Sequence, residues 1–131
     1  IRVLVADDHP TNRRVIELIL AQTPTQIVIA ENGAQAVESF RADTFDLVLM
    51  DMQMPIMDGL TATQEIRLHE ATMGLDRTPI VMLTANAMPE HVAAGRAAGA
   101  DHHLAKPFNA AELLGIVAAP TSLLKDRARA A

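Results

Sequence analysis

Apolar residues in this chain gather in short runs: residues 2–6 (Arg-Val-Leu-Val-Ala), Ile27–Ala30, Leu47–Met50 and Pro79–Leu83, with a weaker one at Asp101–Leu104. Runs this short and this uniformly apolar read as strands buried on both faces, the usual state of strands in a parallel sheet. Between them the apolar positions switch to helical spacing. Pro10 sits in a first turn ahead of Val15, Ile16, Leu18, Ile19 and Leu20, and Thr23-Pro24-Thr25 stops that helix. Asn32-Gly33 is read as a turn, followed by a helix over about 34–42 carrying Ala36, Val37 and Phe40. A third helix starts at about Asp58 and carries Leu60, Ile66 and Arg67; the polar, glycine-containing stretch 70–78 reads as a loop. Ala85-Asn86 is a turn, Met88–Ala98 an alanine-rich helix closed by Gly99, and Asn109 caps a last helix over Ala110–Val117. Five strands alternating with five helices predict an α/β fold, a doubly wound parallel sheet with helices on both faces. Strand order 2-1-3-4-5 agrees with this element count and with right-handed crossovers, which do not determine it alone. The expected domain is 1–119, with 120–131 a tail that is either a further helical turn or two, or linker.

Composition narrows the field. The chain has 131 residues, enough for one domain with a real core, and half of them are hydrophobic. A net charge of −5 leaves no basic footprint, so no direct nucleic acid binding is expected. No apolar run approaches the roughly 20 residues that span a bilayer, so no membrane contact by this domain is expected. Cysteine is absent, and no signal peptide opens the chain, which fits a cytoplasmic location whatever anchors a parent protein. The chain begins at Ile1, inside a strand-like run and without Met, and is expected to be a piece of something longer. Three Phe and no Trp or Tyr argue against a stacked flavin or nucleobase.

The polar residues that end the strands carry the chemistry. Asp7 and Asp8, Asp51, Thr84 and Lys106 each follow an apolar run. A parallel sheet gathers all its carboxyl ends at one edge, where open α/β sheets hold their ligands. Taken singly, each residue has an ordinary reading: acids beside a helix N-terminus, an acid opening a loop, a turn threonine, a solvated lysine. Together they suit phosphoryl transfer to a carboxylate. Adjacent acids repel and call for a hard divalent cation such as Mg²⁺, a carboxylate can accept a phosphoryl group, and a lysine and a hydroxyl can hold its oxygens.

Asp7-Asp8, the stretch from Met50 to Gly59 (Met-Asp-Met-Gln-Met-Pro-Ile-Met-Asp-Gly), Leu83-Thr84-Ala85 and Lys106-Pro107-Phe108 resemble the receiver domain of two-component response regulators. The likeness runs from about residue 2 to 118. It implies the flavodoxin-like five-stranded sheet of order 2-1-3-4-5, an order that is the family's and not a product of periodicity. It implies that Asp51 takes a phosphoryl group from a phosphohistidine on a histidine kinase or a histidine phosphotransfer domain, in an autocatalytic acceptor and not a turnover enzyme. Asp8, Asp51 and the Gln53 backbone carbonyl would bind Mg²⁺, with Asp7 acting through water. Lys106 would pair with phosphorylated Asp51, and Thr84 would move to meet the phosphoryl group. The wording Asp8-His9-Pro10-Thr11-Asn12-Arg13, Arg77-Thr78-Pro79-Ile80 and Leu83-Thr84-Ala85-Asn86-Ala87 is most like receivers of hybrid histidine kinases, ahead of a free-standing regulator. A cis Lys106–Pro107 bond is expected, as is a signal-dependent face formed by the fourth helix, fifth strand and fifth helix.

Two features depart from the family's pattern. His103 stands where the family usually has Tyr or Phe, three residues before the lysine, and is the expected switch residue with Thr84. Gly115 lies inside the last helix at a cost of about 1 kcal/mol against Ala. His9, beside the acid pair, is the histidine placed to visit the metal site; the other four are read as surface residues except for His103. A haloacid dehalogenase-type phosphatase would also use Asp, Mg²⁺, Thr and Lys, but it needs a second Asp two residues after the nucleophile, where Gln53 stands. A degenerate receiver kept only for docking would have lost one of the acids, the Thr or the Lys.

Overall fold

The computed structural model of the chain describes residues 1–85 and 88–124. Five strands, β1 (Arg2–Ala6), β2 (Gln26–Ala30), β3 (Leu47–Asp51), β4 (Ile80–Thr84) and β5 (His102–Ala105), alternate with α1 (Pro10–Leu20), α2 (Gly33–Ala42), α3 (Gly59–Met73), α4 (Pro89–Ala98) and α5 (Ala110–Ala118). The sheet order is β2-β1-β3-β4-β5, and every neighbouring pair is parallel. This is the flavodoxin-like arrangement that the resemblance implied.

The period-2 alternation of a strand divides the core in two. Leu4, Ala6, Val48, Met50, Ile80 and Met82 pack with α2 and α3 on one face. Val3, Val5, Leu47, Leu49, Val81 and Leu83 pack with α1 and α5 on the other. Both faces are therefore dry, which is why β1, β3 and β4 could be read as unbroken apolar runs. α4 is held more thinly: of its residues, only Gly95 and Ala98 are buried. No helix among the described residues is long and apolar enough to cross a membrane.

Several boundaries move, each for a physical reason. The stretch 70–78 is not all loop, because α3 continues to Met73 and ends on Gly74. Its inward face at that end is charged: Glu70 is buried and accepts from Arg67 Nη1 at 2.7 Å and from the Thr78 backbone N–H at 2.7 Å. A buried polar face hides helical periodicity. Asn32-Gly33 is the start of α2 and not a turn before it, since the Asn32 side chain accepts from the Gln35 N–H at 2.8 Å. β5 starts one residue late, because Asp101 turns into the charged network instead of opening the strand. Asn109 caps α5 as expected, in a reciprocal box with Glu112. Gly99 closes α4 in the left-handed region, and Lys106–Pro107 is cis. Leu123 in the tail is buried against the α1 and α5 side of the core. Of the expected turn Ala85-Asn86, Asn86 lies outside the described residues, as does the tail from 125 onward.

Gly115 is exposed on α5, and a methyl group built there meets nothing within 4 Å. Gly115→Ala should therefore stabilise the domain by roughly 0.5–1 kcal/mol, through helix propensity and a less free unfolded chain. Chemical denaturation of the two proteins checks this; a loss of stability would show that the position is crowded.

Candidate functional site

β1, β3 and β4 end side by side, and the loops after them carry the polar residues to one edge. Two glycines set how closely that edge closes. Gly33 N–H donates to the Met57 carbonyl at 2.9 Å and Gly59 N–H to the Met52 carbonyl at 2.9 Å. A Cβ on Gly33 would stand 2.4 Å from Met57 O, and one on Gly59 would stand 2.0 Å from Asp51 O. Only glycine lets the β3–α3 loop lie against the strand end that bears Asp51. The same loop holds Ile56 at φ 70° and 84 % exposed. A β-branched residue in the left-handed region is strained, and such strain concentrates at functional sites. Sequence pattern gave no sign of it.

Asp7 is fully buried: Oδ1 accepts from the His9 N–H at 2.9 Å, and Oδ2 accepts from Lys106 Nζ at 3.1 Å. Lys106 Nζ also lies 3.3 Å from Asp51 Oδ1, which the Gln53 N–H approaches at 3.5 Å. Lys106 thus bridges two acids from two strands, across a sequence separation of 99 residues in the case of Asp7. Its backbone N–H donates to the Thr84 carbonyl at 2.7 Å, which ties β5's exit to β4's last residue. Thr84 is buried and lines a small cleft with Asp51, Met52, Gln53, Ala85 and His91. Burial pushes the Asp51 carboxyl above the ordinary carboxylate range; Lys106 pulls it back in part, and Asp7 adds to the rise.

Asp8 completes the group. Its Oδ1 is buried without a hydrogen-bond partner among the described residues, although His9 Nδ1 is 3.0 Å away. One donor atom each from Asp7, Asp8, His9 and Asp51 falls within 4.8 Å of the others. Hard carboxylate oxygens, with one of them orphaned, are a donor set that fits a divalent cation. All the strand-end residues singled out from sequence therefore converge. His103 lies apart from this cluster, on the α4 side, in a cavity that Thr84, Met52, Met82 and Gly95 also line. Sequence reasoning missed Arg13, whose Nη1 donates to the Asp7 carbonyl at 2.8 Å, and His91, which reaches the cleft from α4. Arg13 lay in the wording Asp8–Arg13 without a role of its own, and His91 was read as a surface histidine.

Known proteins agree with this geometry. Sensor protein GacS of Pseudomonas syringae is 40 % identical over 122 residues, covering 93 % of this chain and 14 % of that protein. Sensory/regulatory protein RpfC of Xanthomonas campestris is 37 % identical over 117 residues, covering 89 % of this chain and 16 % of that protein. The chain thus spans only about a seventh of the length of these relatives. Among solved structures, the receiver domain of sensor histidine kinase PA1611 from Pseudomonas aeruginosa, with a magnesium ion coordinated in its active site cleft, matches with a TM-score of 0.79 at 39 % identity, covering 88 % of this chain and 92 % of that one. The receiver domain of the Saccharomyces cerevisiae response regulator Ssk1, in complex with the histidine phosphotransfer protein Ypd1, is also similar; the TM-score is 0.83 at 28 % identity, with 86 % and 83 % covered. The family model described as the response regulator receiver domain matches residues 3–118, and the chain belongs to that family of two-component signalling domains.

Proposed function

We propose that Asp51 is the phosphoacceptor of this receiver domain and that Asp7, Asp8, Thr84 and Lys106 serve its phosphorylation. The observation that carries this reading is the bridge from Lys106 Nζ to Asp7 Oδ2 and Asp51 Oδ1, at 3.1 and 3.3 Å, beside the orphaned Asp8 oxygen. An Asp51 oxygen attacks the phosphorus of a phosphohistidine, the P–N bond breaks, and the imidazole leaves with the bonding pair. The product is an acyl phosphate on Asp51. A carboxylate poorly solvated by burial is a better nucleophile once ionised, and the raised pKa of Asp51 reports that burial. Lys106 is placed to hold one oxygen of the transferred group, and the Thr84 hydroxyl another. Asp8, Asp51, the Gln53 backbone carbonyl and, through water, Asp7 would hold Mg²⁺, which supplies charge neutralisation for the phosphoryl oxygens. The phosphatase reading lacks its general acid, because Gln53 cannot titrate.

The partner is a histidine kinase, a histidine phosphotransfer domain, or both in sequence, and the Ypd1 complex of a similar receiver supports this. Exposed Val15 and Leu18 on α1 and Ile56 in the β3–α3 loop offer apolar contacts for such a partner. The sensor and hybrid histidine kinases among the relatives support a hybrid histidine kinase as the parent. The domain itself contacts neither nucleic acid nor membrane and works in the cytoplasm. Thr84 and His103 share the cavity under α4, so movement of Thr84 toward a phosphoryl group would vacate space for the imidazole. Thin burial of α4 makes that face the compliant one.

A small phosphodonor tests the core of this. Intact mass should show one phosphate adduct on the wild type, none after chelation and none on Asp51→Ala. An adduct on Asp51→Ala, or one indifferent to chelator, overturns the assignment.

A further inference from the structure

We propose that His9 is a fourth donor to the cation site, and that its imidazole shifts the site's preference from Mg²⁺ toward first-row transition metals. The inference rests on the reading that Asp8 and Asp51 hold a divalent cation. It adds a ligand of a different chemical kind, nitrogen among oxygens.

His9 Nδ1 stands 3.0 Å from Asp8 Oδ1 and 3.7 Å from Asp7 Oδ1. The shorter distance is that of a hydrogen bond, yet Asp8 Oδ1 has no hydrogen-bond partner among the described residues. The two atoms therefore lie side by side without pointing at one another. That is how neighbouring ligands stand on one metal: two donors at right angles, each about 2.1 Å from the ion, are about 3.0 Å apart. One donor atom each from Asp7, Asp8, His9 and Asp51 lies within 4.8 Å of the others, near the roughly 4.2 Å that separates opposite ligands of one ion, with Asp7 reaching it through water.

The ring is also free of other work. His9 occupies the N-cap position of α1, but its side chain makes no capping hydrogen bond, and the ring is 66 % exposed. Its backbone is held independently, by the N–H donated to Asp7 Oδ1 at 2.9 Å and by the carbonyl that accepts from the Arg13 N–H at 3.1 Å. The main chain thus aims the ring at the acids, while an ordinary helix cap would have turned a side chain back onto the helix.

The consequence is selectivity. Carboxylate, carbonyl and water oxygens suit Mg²⁺, which binds imidazole poorly; imidazole suits the later first-row divalents, whose affinity rises from Mn²⁺ through Co²⁺ to Ni²⁺. A receiver with oxygen donors alone prefers these metals modestly. One with an added imidazole prefers them by a wider margin, and its occupancy would follow transition-metal supply as well as Mg²⁺.

The test uses the purified domain with Mg²⁺ and Co²⁺ as probes, titrated calorimetrically into wild type, His9→Gln and Asp8→Asn. In the wild type, Co²⁺ should produce a hyperfine-shifted, exchangeable imidazole proton in the NMR spectrum. His9→Gln should lose that signal and about tenfold in Co²⁺ affinity, with Mg²⁺ affinity changed less than twofold. Asp8→Asn should lose both metals, which separates this site from other histidines on the surface. If His9→Gln keeps the wild-type ratio of Co²⁺ to Mg²⁺ affinity, His9 is only an ion-pair partner of Asp8, and the acid site stands without it. If the wild type binds neither ion, the acid site itself is wrong and this inference falls with it.

Discussion

Asp101→Ala should cost about 3–5 kcal/mol, the price of breaking a buried ion pair from one side. The Asp101 side chain has no exposure and accepts from Arg67 Nη2 at 2.7 Å, Arg77 Nε at 2.8 Å and the Ile80 N–H at 3.0 Å. Arg67 also donates to Glu70 Oε1 at 2.7 Å and to the carbonyls of Thr78 and Gly99, at 2.8 and 3.0 Å. Two arginines and two acids thus balance one another where α3, α4, β4 and β5 meet. Removing one acid leaves Arg67 and Arg77 sharing Glu70 alone, in a place where Arg67 is only 14 % exposed, and leaves the Ile80 N–H unsatisfied. For a domain of this size the melting temperature should fall by roughly 10–15 °C. The network sits at the opposite end of β4 from Thr84, so at low temperature Asp51 should still be labelled at the wild-type rate. A stability loss under about 1 kcal/mol would make the network a surface ornament.

Lys106→Met is expected to act on both chemistry and stability. Loss of one preorganised charge that meets developing negative charge typically slows a reaction by about 10²–10³-fold, and labelling of Asp51 should slow by that much. In the absence of divalent cation the variant should also be less stable near neutral pH, because Asp7 and Asp51 lose the ammonium between them. The pH dependence has a definite sign. Asp51 already titrates above its unfolded value, and Lys106 is what holds it down. Without Lys106 the folded value rises further, so the folded state keeps a proton that the unfolded state has released. Stability then falls as pH rises from the ordinary carboxyl value through the raised one. Below that window Asp51 is neutral in both proteins, and its part of the gap between them should close. Thermal melts from pH 3 to 8, with labelling rates at pH 7, check both effects. A wild-type labelling rate, or a gap that widens on acidification, contradicts the role given to Lys106.

Much of this site lay open in the primary structure. β1, β3 and β4 are buried on both faces, so their apolar runs were unbroken and their ends unambiguous. Parallel strands put all those ends at one edge, so Asp7, Asp8, Asp51, Thr84 and Lys106 had to converge once the strands were located. Local caps were equally plain, because a cap is settled within a few residues: Asn109 at α5 and Gly99 after α4 both stand where the residue types place them.

What could not be read is everything that depends on which elements become neighbours. The end of α3 looked like loop because its inward side chain there is Glu70, and no apolar position marks a last turn whose buried residue is charged. Asp101 looked like the first residue of a strand, although its partners lie 21 to 34 residues away. His9 was already the histidine placed to visit the metal site, but only the fold set its Nδ1 3.0 Å from Asp8 Oδ1. Periodicity records whether a position is buried, because burial selects for apolar residues, but it does not record what a buried charge faces. By itself the sequence determined the class of fold, the ends of its strands and the edge at which the candidate site residues gather. The distances that decide which acid meets the lysine, and which carboxylate oxygen is left unpaired among the described residues, follow from strand order and helix packing, and only the tertiary structure supplied them.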